Sequence, residues 1–406
     1  MTTVLTPTKR CPRCGDDFGC AEGEPGCWCE TVAIPRETLT ELRSLADDCF
    51  CPACLRSFAE QGAPVRARGL PVVWAVGAFA FLVAAVLVAI GIGPIGIGVG
   101  AIVESAFSHV PLVHVRSHLD AVDSAIVWQL RAPRVVLAAL VGGMLAVSGS
   151  AYQGVFRNPL ADPYLLGVAA GAGLGATIAI VYLSAAGSTE ILPVCAFVGA
   201  IAGVGGAYVL GRSVGAARGT GALVLAGVTV AAFLTAVQTF LQQQRSETLR
   251  EVYSWLLGGF NGATWHDVAL ASPYVAVSAI VLLLHRRVLD VLSLGDEEAA
   301  SVGVNVRRAR LVIVVAATAG TAAAVAVSGL IGFVGIIVPH TVRLLVSTSY
   351  RAVVPLSLLL GAAFLVLADV LARTVMSPAE LPIGVITAFF GAPFFAVVLR
   401  TMRTVS

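Results

Sequence analysis

Long apolar runs dominate the sequence from Leu70 onward, and they constrain the fold more than any other feature. The chain is 57% hydrophobic and only 12% charged, whereas an ordinary soluble domain carries about 25% charged residues. An apolar run of about 20 residues is long enough to cross a bilayer as a helix. We therefore predict an all-α polytopic membrane protein. Its ten expected transmembrane helices lie at approximately residues 70–92, 134–154, 163–184, 191–211, 221–242, 267–286, 310–328, 332–348, 353–372 and 383–400.

The basic residues predict how these spans are oriented. Of the 26 basic residues, Lys9 is the single lysine and the rest are arginines. The arginines are more numerous in the connections on the same side as the N-terminus. Because cytoplasmic connections carry an excess of basic residues, we expect both termini in the cytoplasm, as an even number of spans requires.

The sequence also excludes several activities. A P-loop ATPase needs a Gly-rich loop followed by lysine, and Lys9 lies in TPTKR, which has no such loop. Any ATP-driven role therefore requires a separate subunit, and ATP is expected to bind only there. No catalytic constellation recurs at suitable spacing, so the chain is not expected to be an enzyme. No basic cluster is interleaved with aromatic residues, so no nucleic-acid partner is expected.

The segment Gln129–Ala176 has the features of two close-packed membrane helices. Arg131 and Arg134 flank a proline at the start of a helix that is rich in glycine, alanine and serine. Small residues let helix backbones approach closely inside a membrane. A polar turn at residues 157–163, RNPLADP, separates this helix from a second Gly/Ala-rich helix.

Residues 1–60 form a separate cysteine-rich module, followed by a linker at residues 61–69. So short a module cannot bury a self-sufficient core and needs metal or disulfide staples. Pairs spaced Cys-x2-Cys are typical of zinc sites, whereas disulfides would require an oxidising compartment. A cytosolic N-terminus favours zinc. The predicted ligands are Cys11, Cys14, Cys20, Cys27, Cys29, Cys49, Cys51 and Cys54.

The connection His285–Arg310 is amphipathic and too polar to span a membrane. We expect it to form short helices at the cytoplasmic surface. Two interpretations remain open: a solvated connector, or a docking surface for a cytosolic partner.

Seven motifs in one order closely resemble the FecCD-type permease family over about residues 70–402. The motifs are LRAPR, GSAYQGVFRNPLADPYLLGVAAGAGLG, LVLAGV, WLLGGFNGATW, LGDEEAASVGVNV, GFVGIIVPHTVRLL and AELPIGVITAFFGAPFF. The resemblance implies the type II ABC importer permease fold: a homodimer of ten-helix permeases in the bacterial inner (plasma) membrane. It further implies two ABC ATPase subunits, a periplasmic substrate-binding protein, and an iron–siderophore, haem or cobalamin (vitamin B12) substrate.

The resemblance also implies roles for individual residues. Arg131, Arg134 and Arg373 match arginines that receive acidic residues of the binding protein. Thr220 and Gly221 match the cytoplasmic gate, although a hydroxyl residue can occur where this chain has glycine. The expected ATPase-coupling residues are Leu294, Gly295, Asp296, Glu297, Glu298, Val302 and Gly303. The expected pathway residues, which could equally pack or face lipid, are Thr387, Phe389, Phe390 and Phe394.

Residues 1–55 resemble a second family, the cysteine-rich CWC domain, named for Cys27-Trp28-Cys29, and the resemblance covers all eight cysteines. Two alternatives to an ABC permease remain open. In an ion-coupled secondary transporter, Asp369 would carry the proton, although Arg373 at i+4 is an equally good ion-pair partner. In a metal-sensing membrane regulator, the cysteine module would be the active part.

Overall fold

The computed structural model describes residues 8–12, 14, 16–19, 32, 42, 49–61, 70–93, 95–108, 118–183, 191–213 and 219–403. The chain divides into two units, Met1–Arg68 and Gly69–Ser406. The predicted linker, apart from Gln61, lies outside the described residues, as do Cys20, Cys27 and Cys29.

The N-terminal unit contains a hairpin and a helix. Strand β1 (Thr8–Arg10) pairs antiparallel with β2 (Asp17–Gly19), and helix α1 spans Pro52–Gln61. Phe50 and Phe58 pack edge to face with ring centroids 5.1 Å apart. The core that the described residues form around them includes three cysteine side chains, and a unit of this length has a limited apolar contribution to its stability.

The second unit is helical throughout its described elements. Its helices are α2 (Val72–Gly91), α3 (Val99–Ser108), α4 (Ala121–Phe156), α5 (Val168–Leu183), α6 (Ile191–Ser213), α7 (Gly219–Gln244), α8 (Leu249–Leu256), α9 (Trp265–Leu284), α10 (Arg286–Leu294), α11 (Asp296–Ser301), α12 (Val306–Ser328), α13 (Val334–Leu345), α14 (Tyr350–Thr374) and α15 (Ile383–Arg403).

Each predicted span coincides with one of these helices. Within the described ranges, seven helices are long and apolar enough to cross a membrane: α2, α4, α6, α7, α9, α12 and α14. The apolar parts of α5, α13 and α15 are shorter. The helical membrane fold is thus confirmed, while the number of ten crossings stays a prediction.

Helix α4 is the centre of this unit. Every residue from Val141 to Phe156 is buried, and α4 packs against α9, α12, α13 and α14. Glycines allow these close contacts: a β-carbon at Gly149 would overlap the backbone of Gly335, and one at Gly142 would overlap the carbonyl oxygen of Gly361. The small residues noted in the sequence therefore serve backbone-to-backbone helix packing.

The remaining helices surround this centre. Helix α2 packs on α14, and α5 packs against α6 and α7, while α12 reaches both α4 and α6. Helices α12 and α13 are separated by a short non-helical break between Ser328 and Val334. Phe333 has a left-handed backbone with φ 69° at the start of α13, and Pro339 lies inside that helix.

Candidate functional site

An ion cluster joins Arg134, in the N-terminal half of α4, to Asp369 near the end of α14 and to Glu380 just before α15. Arg134 donates from Nε and Nη2 to the carboxylate of Asp369 over 2.8–3.0 Å. Its Nη1 and Nη2 donate to the two carboxylate oxygens of Glu380, each over 3.0 Å. Arg134 is thus held side-on by one carboxylate and end-on by another. Asp369 is also 3.7 Å from Nε of Arg373, the i+4 pairing that the sequence suggested.

Arg131 and Arg373 bind the C-terminal end of α2. Arg131 donates to the carbonyl oxygens of Ile90, Gly91 and Ile95 over 2.5–3.3 Å, and Arg373 donates to that of Ala89. The last carbonyls of a helix lack intrahelical partners, and cationic side chains satisfy them well. Arg131 is only 7% exposed. Both arginines thus stabilise a helix end, and their docking role stays a prediction.

The local backbone explains why Arg131 points inward. Residues Ile126–Arg131 form a π-helical turn inside α4, and Pro133 follows directly in the next turn. A π-turn adds one residue to the helical repeat and often occurs at functional positions. This turn changes which face of α4 carries Arg131.

A cleft of about 980 Å³ borders the same cluster, and Arg134 and Glu380 both line it. Arg250, Glu251 and Asp267 add charge to its wall. Of the three predicted docking arginines, Arg134 alone lines this cleft.

The predicted coupling residues form an exposed surface on α10 and α11. Leu294 is 72% exposed and Val302 is 66% exposed, and Glu297 and Glu298 are exposed beside them. Gly295 directly precedes α11, and Gly303 follows it by two residues. Their φ angles are 152° and 83°, a region of backbone conformation that favours glycine. Leu294 and Val302 are thus exposed apolar side chains close to exposed carboxylates.

The layer beneath this surface fixes it to the helix bundle. Leu289, Leu292 and Ala299 are fully buried. Asp290 accepts hydrogen bonds from the hydroxyl of Ser349 and the amide of Tyr350, at the start of α14. These two hydrogen bonds join α10 directly to the start of α14.

Asp296 connects the same surface to two further helices. It accepts from Arg157, the residue that ends α4, over 3.2 Å, and from Arg310 of α12 over 2.9 Å. The turn that follows Arg157 is also ordered by its polar side chains: Asp162 accepts from the amide of Tyr164 over 2.8 Å. Burial raises the pKa of Asp162 to about 6, and the Tyr164 amide partly offsets the effect.

The predicted gate and pathway residues lie on α7 and α15. Gly221 opens onto empty space, whereas the side chain of Thr220 lies outside the described residues. Thr387 is buried and donates to the carbonyl oxygen of Gly384. Phe390 is 50% exposed. Both helices carry several exposed large apolar residues: Leu225, Val228, Phe233, Phe240, Val385, Phe389 and Val397.

The other two candidate pathway aromatics differ in their surroundings. Phe389 packs edge to face with Phe390, with ring centroids 5.7 Å apart. Phe394 packs edge to face against His340 of α13 at 5.9 Å, so it has a packing role within the bundle.

Four of the eight predicted metal ligands converge in the N-terminal unit. The sulfur atoms of Cys11, Cys14, Cys51 and Cys54 all lie within 4.8 Å of one another, and those of Cys14 and Cys51 are 3.6 Å apart. Tetrahedral zinc with Zn–S bonds of about 2.3 Å requires sulfur atoms about 3.8 Å apart. The four thiols therefore fit a metal ion, whereas Cys49 lies outside this cluster.

Backbone and electrostatic features of this cluster agree with metal binding. The amides of Cys51 and Cys54 donate to the sulfurs of Cys11 and Cys51 over 3.4 and 3.5 Å. Burial and the neighbouring thiols raise the pKa of Cys54 to about 12. A bound metal would reverse this effect on Cys54, because it binds the thiolate form.

The described helices thus form an apolar bundle around the buried α4. The ion cluster at Arg134 lies on one side of this bundle, and the exposed surface of α10 and α11 is joined by Asp296 to Arg157 at the end of α4. Residues 75–401 match the FecCD transport family and residues 11–56 match the cysteine-rich CWC family. The chain belongs to the FecCD transport family.

Named relatives agree with this assignment. The cobalamin import system permease protein BtuC of Halobacterium salinarum is 39% identical over 365 residues, 82% of this chain and 98% of that protein. The hemin transport system permease protein HmuU of Yersinia pestis is 39% identical over 285 residues, 68% of this chain and 84% of that protein. A solved metal-chelate type ABC transporter in an inward-facing conformation has a TM-score of 0.72 at 29% identity, covering 82% of this chain and 100% of that chain.

The chain is therefore the multi-pass permease subunit of an ABC importer in the inner membrane, and a separate subunit hydrolyses ATP. Membership of the family implies an ATPase partner and a substrate-binding protein. The alternative of an ion-coupled secondary transporter is set aside. Glu380 lies in the AELPIG motif, but nothing along the chain indicates that it meets Arg134.

Proposed function

We propose that two copies of this chain form one translocation path for a metal chelate or a metal-containing tetrapyrrole or corrinoid. The first support is chemical. The relatives are named for cobalamin, hemin and Fe(3+)-citrate, which are all organic ligands coordinating a metal. The second support is the exposed apolar face of α7 and α15, which carries the predicted gate and pathway residues and would lie at the dimer axis.

The observation that carries this proposal is the position of the two functional surfaces on α4. Arg134 is near its outer end and Arg157 ends it, 23 residues later, which corresponds to about 35 Å along a helix. That length is sufficient to cross the hydrocarbon core of a bilayer, which is about 30 Å thick. One rigid, buried helix thus joins a docking end to a coupling end.

The orientation follows from the arginine distribution. With both termini in the cytoplasm, Arg131, Arg134 and Arg373 face the periplasm and Leu294–Gly303 faces the cytosol. The substrate-binding protein docks at the arginine cluster through acidic residues of its two lobes. In each protomer, Arg134 contacts the binding protein at the cleft, while Arg131 and Arg373 hold the C-terminal end of α2 in place.

ATP-driven closure of two ATPase subunits would act on α10 and α11. Leu294 and Val302 insert into an apolar groove of the partner, and Glu297 and Glu298 pair with its basic residues. The push passes through Asp290 to α14 and through Asp296 to α4 and α12. The path between α7 and α15, including Gly221, Thr387 and Phe390, then alternates between the two sides.

The N-terminal unit is proposed to hold zinc at Cys11, Cys14, Cys51 and Cys54. A set of four cysteines in two Cys-x2-Cys pairs suits tetrahedral zinc. The ion would link the hairpin to α1 and thereby stabilise a unit whose apolar core is small. Cys20, Cys27, Cys29 and Cys49 would form the second site that eight cysteines allow.

The coupling surface provides the test of this function. Val302→Glu should abolish co-purification of the cognate ATPase subunit with the permease from detergent, because it puts a charge into an apolar contact. The control is Val375→Glu, the same change at a valine that is 62% exposed just beyond the outer end of α14, which should retain the ATPase. Equal retention by both variants would contradict the proposed coupling surface.

A second candidate, a metal-sensing regulator, is favoured only by the cysteine cluster. Removal of residues 1–60 distinguishes the two functions. A permease with an accessory module keeps its basal ATP-dependent transport, whereas a regulator acting through the cysteines loses its response to metal.

A further inference from the structure

We propose that Glu380 occupies the site on Arg134 that a carboxylate of the substrate-binding protein takes on docking, so that Glu380 is an internal competitor that lowers the affinity of docking. This inference rests on the proposed docking at Arg134. It concerns a residue to which the docking proposal gives no role.

The geometry of Arg134 leaves no unoccupied bidentate face. A guanidinium has five N–H donors in a planar fork, and it binds a carboxylate best through two parallel hydrogen bonds. The side-on pair, Nε and Nη2, is taken by Asp369, and the end-on pair, Nη1 and Nη2, is taken by Glu380. An incoming carboxylate must therefore displace one of these two residues.

The burial of the two carboxylates decides which of them leaves Arg134. The side chain of Asp369 is 1% exposed and also pairs with Arg373. Its release would leave a buried carboxylate without its main partner, which is strongly unfavourable. The side chain of Glu380 is 32% exposed and lines the open cleft. When it leaves Arg134, it can be hydrated at once, so the exchange costs little.

The backbone around Glu380 allows a side-chain exchange without refolding the connection. The amide of Leu381 donates to the carbonyl oxygen of Ala372 over 2.9 Å, and the amide of Ile383 donates to that of Gly258 over 3.1 Å. These bonds fix the chain on the C-terminal side of Glu380. Rotation of its side chain into the cleft is sufficient to clear the end-on face of Arg134.

The test measures the dissociation constant between the cognate substrate-binding protein, purified without substrate, and the permease–ATPase complex in nanodiscs. Glu380→Gln removes the competing charge and should tighten binding about three- to tenfold at physiological salt. Glu380→Ala should act in the same direction. Glu251→Gln is the matched control, because it removes the same charge from the wall of the same cleft. It should change the affinity by less than about twofold.

Arg134→Lys separates the inference from the docking proposal. It keeps a charge beside Asp369 but cannot form the bidentate pair, so docking should weaken and the effect of Glu380→Gln should disappear in the double variant. If Arg134→Lys binds as the wild type does, docking at Arg134 is wrong. If Arg134→Lys weakens docking but Glu380→Gln does not tighten it, or Glu251→Gln tightens it equally, only the inference is overturned. Thermal unfolding of each complex verifies that the variants are folded.

Discussion

Replacing Asp369 by asparagine removes the most buried charge of the ion cluster. The carboxylate is 1% exposed and accepts three hydrogen bonds from Arg134 over 2.8–3.0 Å. Asparagine has almost the same shape, but it is neutral and offers only one acceptor oxygen. Both arginines would keep their positive charges at a site that then lacks a central negative charge.

The structure limits the size of this effect. Loss of one partner of a buried ion pair costs about 3–5 kcal/mol, because the other charge stays buried and unpaired. Here Arg134 retains Glu380 and Arg373 retains the carbonyl oxygen of Ala89. We therefore expect a loss near the lower limit, about 3 kcal/mol, which corresponds to a fall in the midpoint of thermal unfolding of about 4 °C for a unit of this size.

The assay is thermal unfolding of the permease in nanodiscs, followed by transport per folded complex. The control is Glu247→Gln, an exposed carboxylate whose change should stay within about 0.5 kcal/mol. Asp369→Asn should be less stable but should still transport with ATP. A variant that is as stable as the wild type yet inactive would refute this reasoning, because it would give Asp369 a role in proton coupling.

Three further changes test other parts of the structure. Gly149→Ala should lower the free energy of unfolding by about 1–3 kcal/mol, because its β-carbon would overlap the backbone of Gly335. Gly205→Ala is the control: its β-carbon would lie in open space, so it should not lower stability in the same unfolding assay. Cys51→Ser, or a strong chelator, should lower the zinc content measured by elemental analysis by about one ion per chain; an unchanged zinc content would contradict the four-cysteine site. The pKa of Asp162 is raised from 3.8 to about 6 in the folded protein. The protonated carboxyl therefore adds to the free energy of unfolding, fully below about pH 4. This contribution, at most about 3 kcal/mol, is lost as the pH rises through about 6. Asp162→Asn should remove this part of the pH dependence, and an identical slope in the variant would contradict the assignment.

The sequence predicted the helical spans well because membrane helices depend mainly on local apolar length. It also predicted the close packing of α4, since glycines such as Gly142 and Gly149 have few other uses in an apolar helix. The exposed short helices α10 and α11 followed from charge and amphipathicity within the single segment His285–Arg310, while their coupling role stays a prediction. These features are all encoded over short distances along the chain.

The arginine cluster could not be predicted in the same way. Asp369 and Glu380 meet Arg134 from 235 and 246 residues away, and the acceptors of Arg131 are backbone carbonyls that carry no sequence signal. The π-turn before Pro133 also changes the face on which Arg131 lies. An arginine at a predicted membrane end thus looks exposed in sequence, although the structure buries it.

The cysteine module illustrates the same limit. The spacing suggested zinc ligands, but eight cysteines allow many groupings. Only the fold brings the pair Cys11 and Cys14 of the hairpin to the pair Cys51 and Cys54 at the start of α1, and leaves Cys49 aside.

The most direct test of the central claim is uptake by proteoliposomes that contain this permease with its ATPase, with the loaded substrate-binding protein outside and ATP inside. Labelled ferric siderophore, haem and cobalamin are compared. We expect uptake of one of these classes, and we expect it to require the ATPase, hydrolysable ATP and the binding protein together. Uptake by the permease alone, driven by a proton gradient and independent of ATP, would contradict this claim.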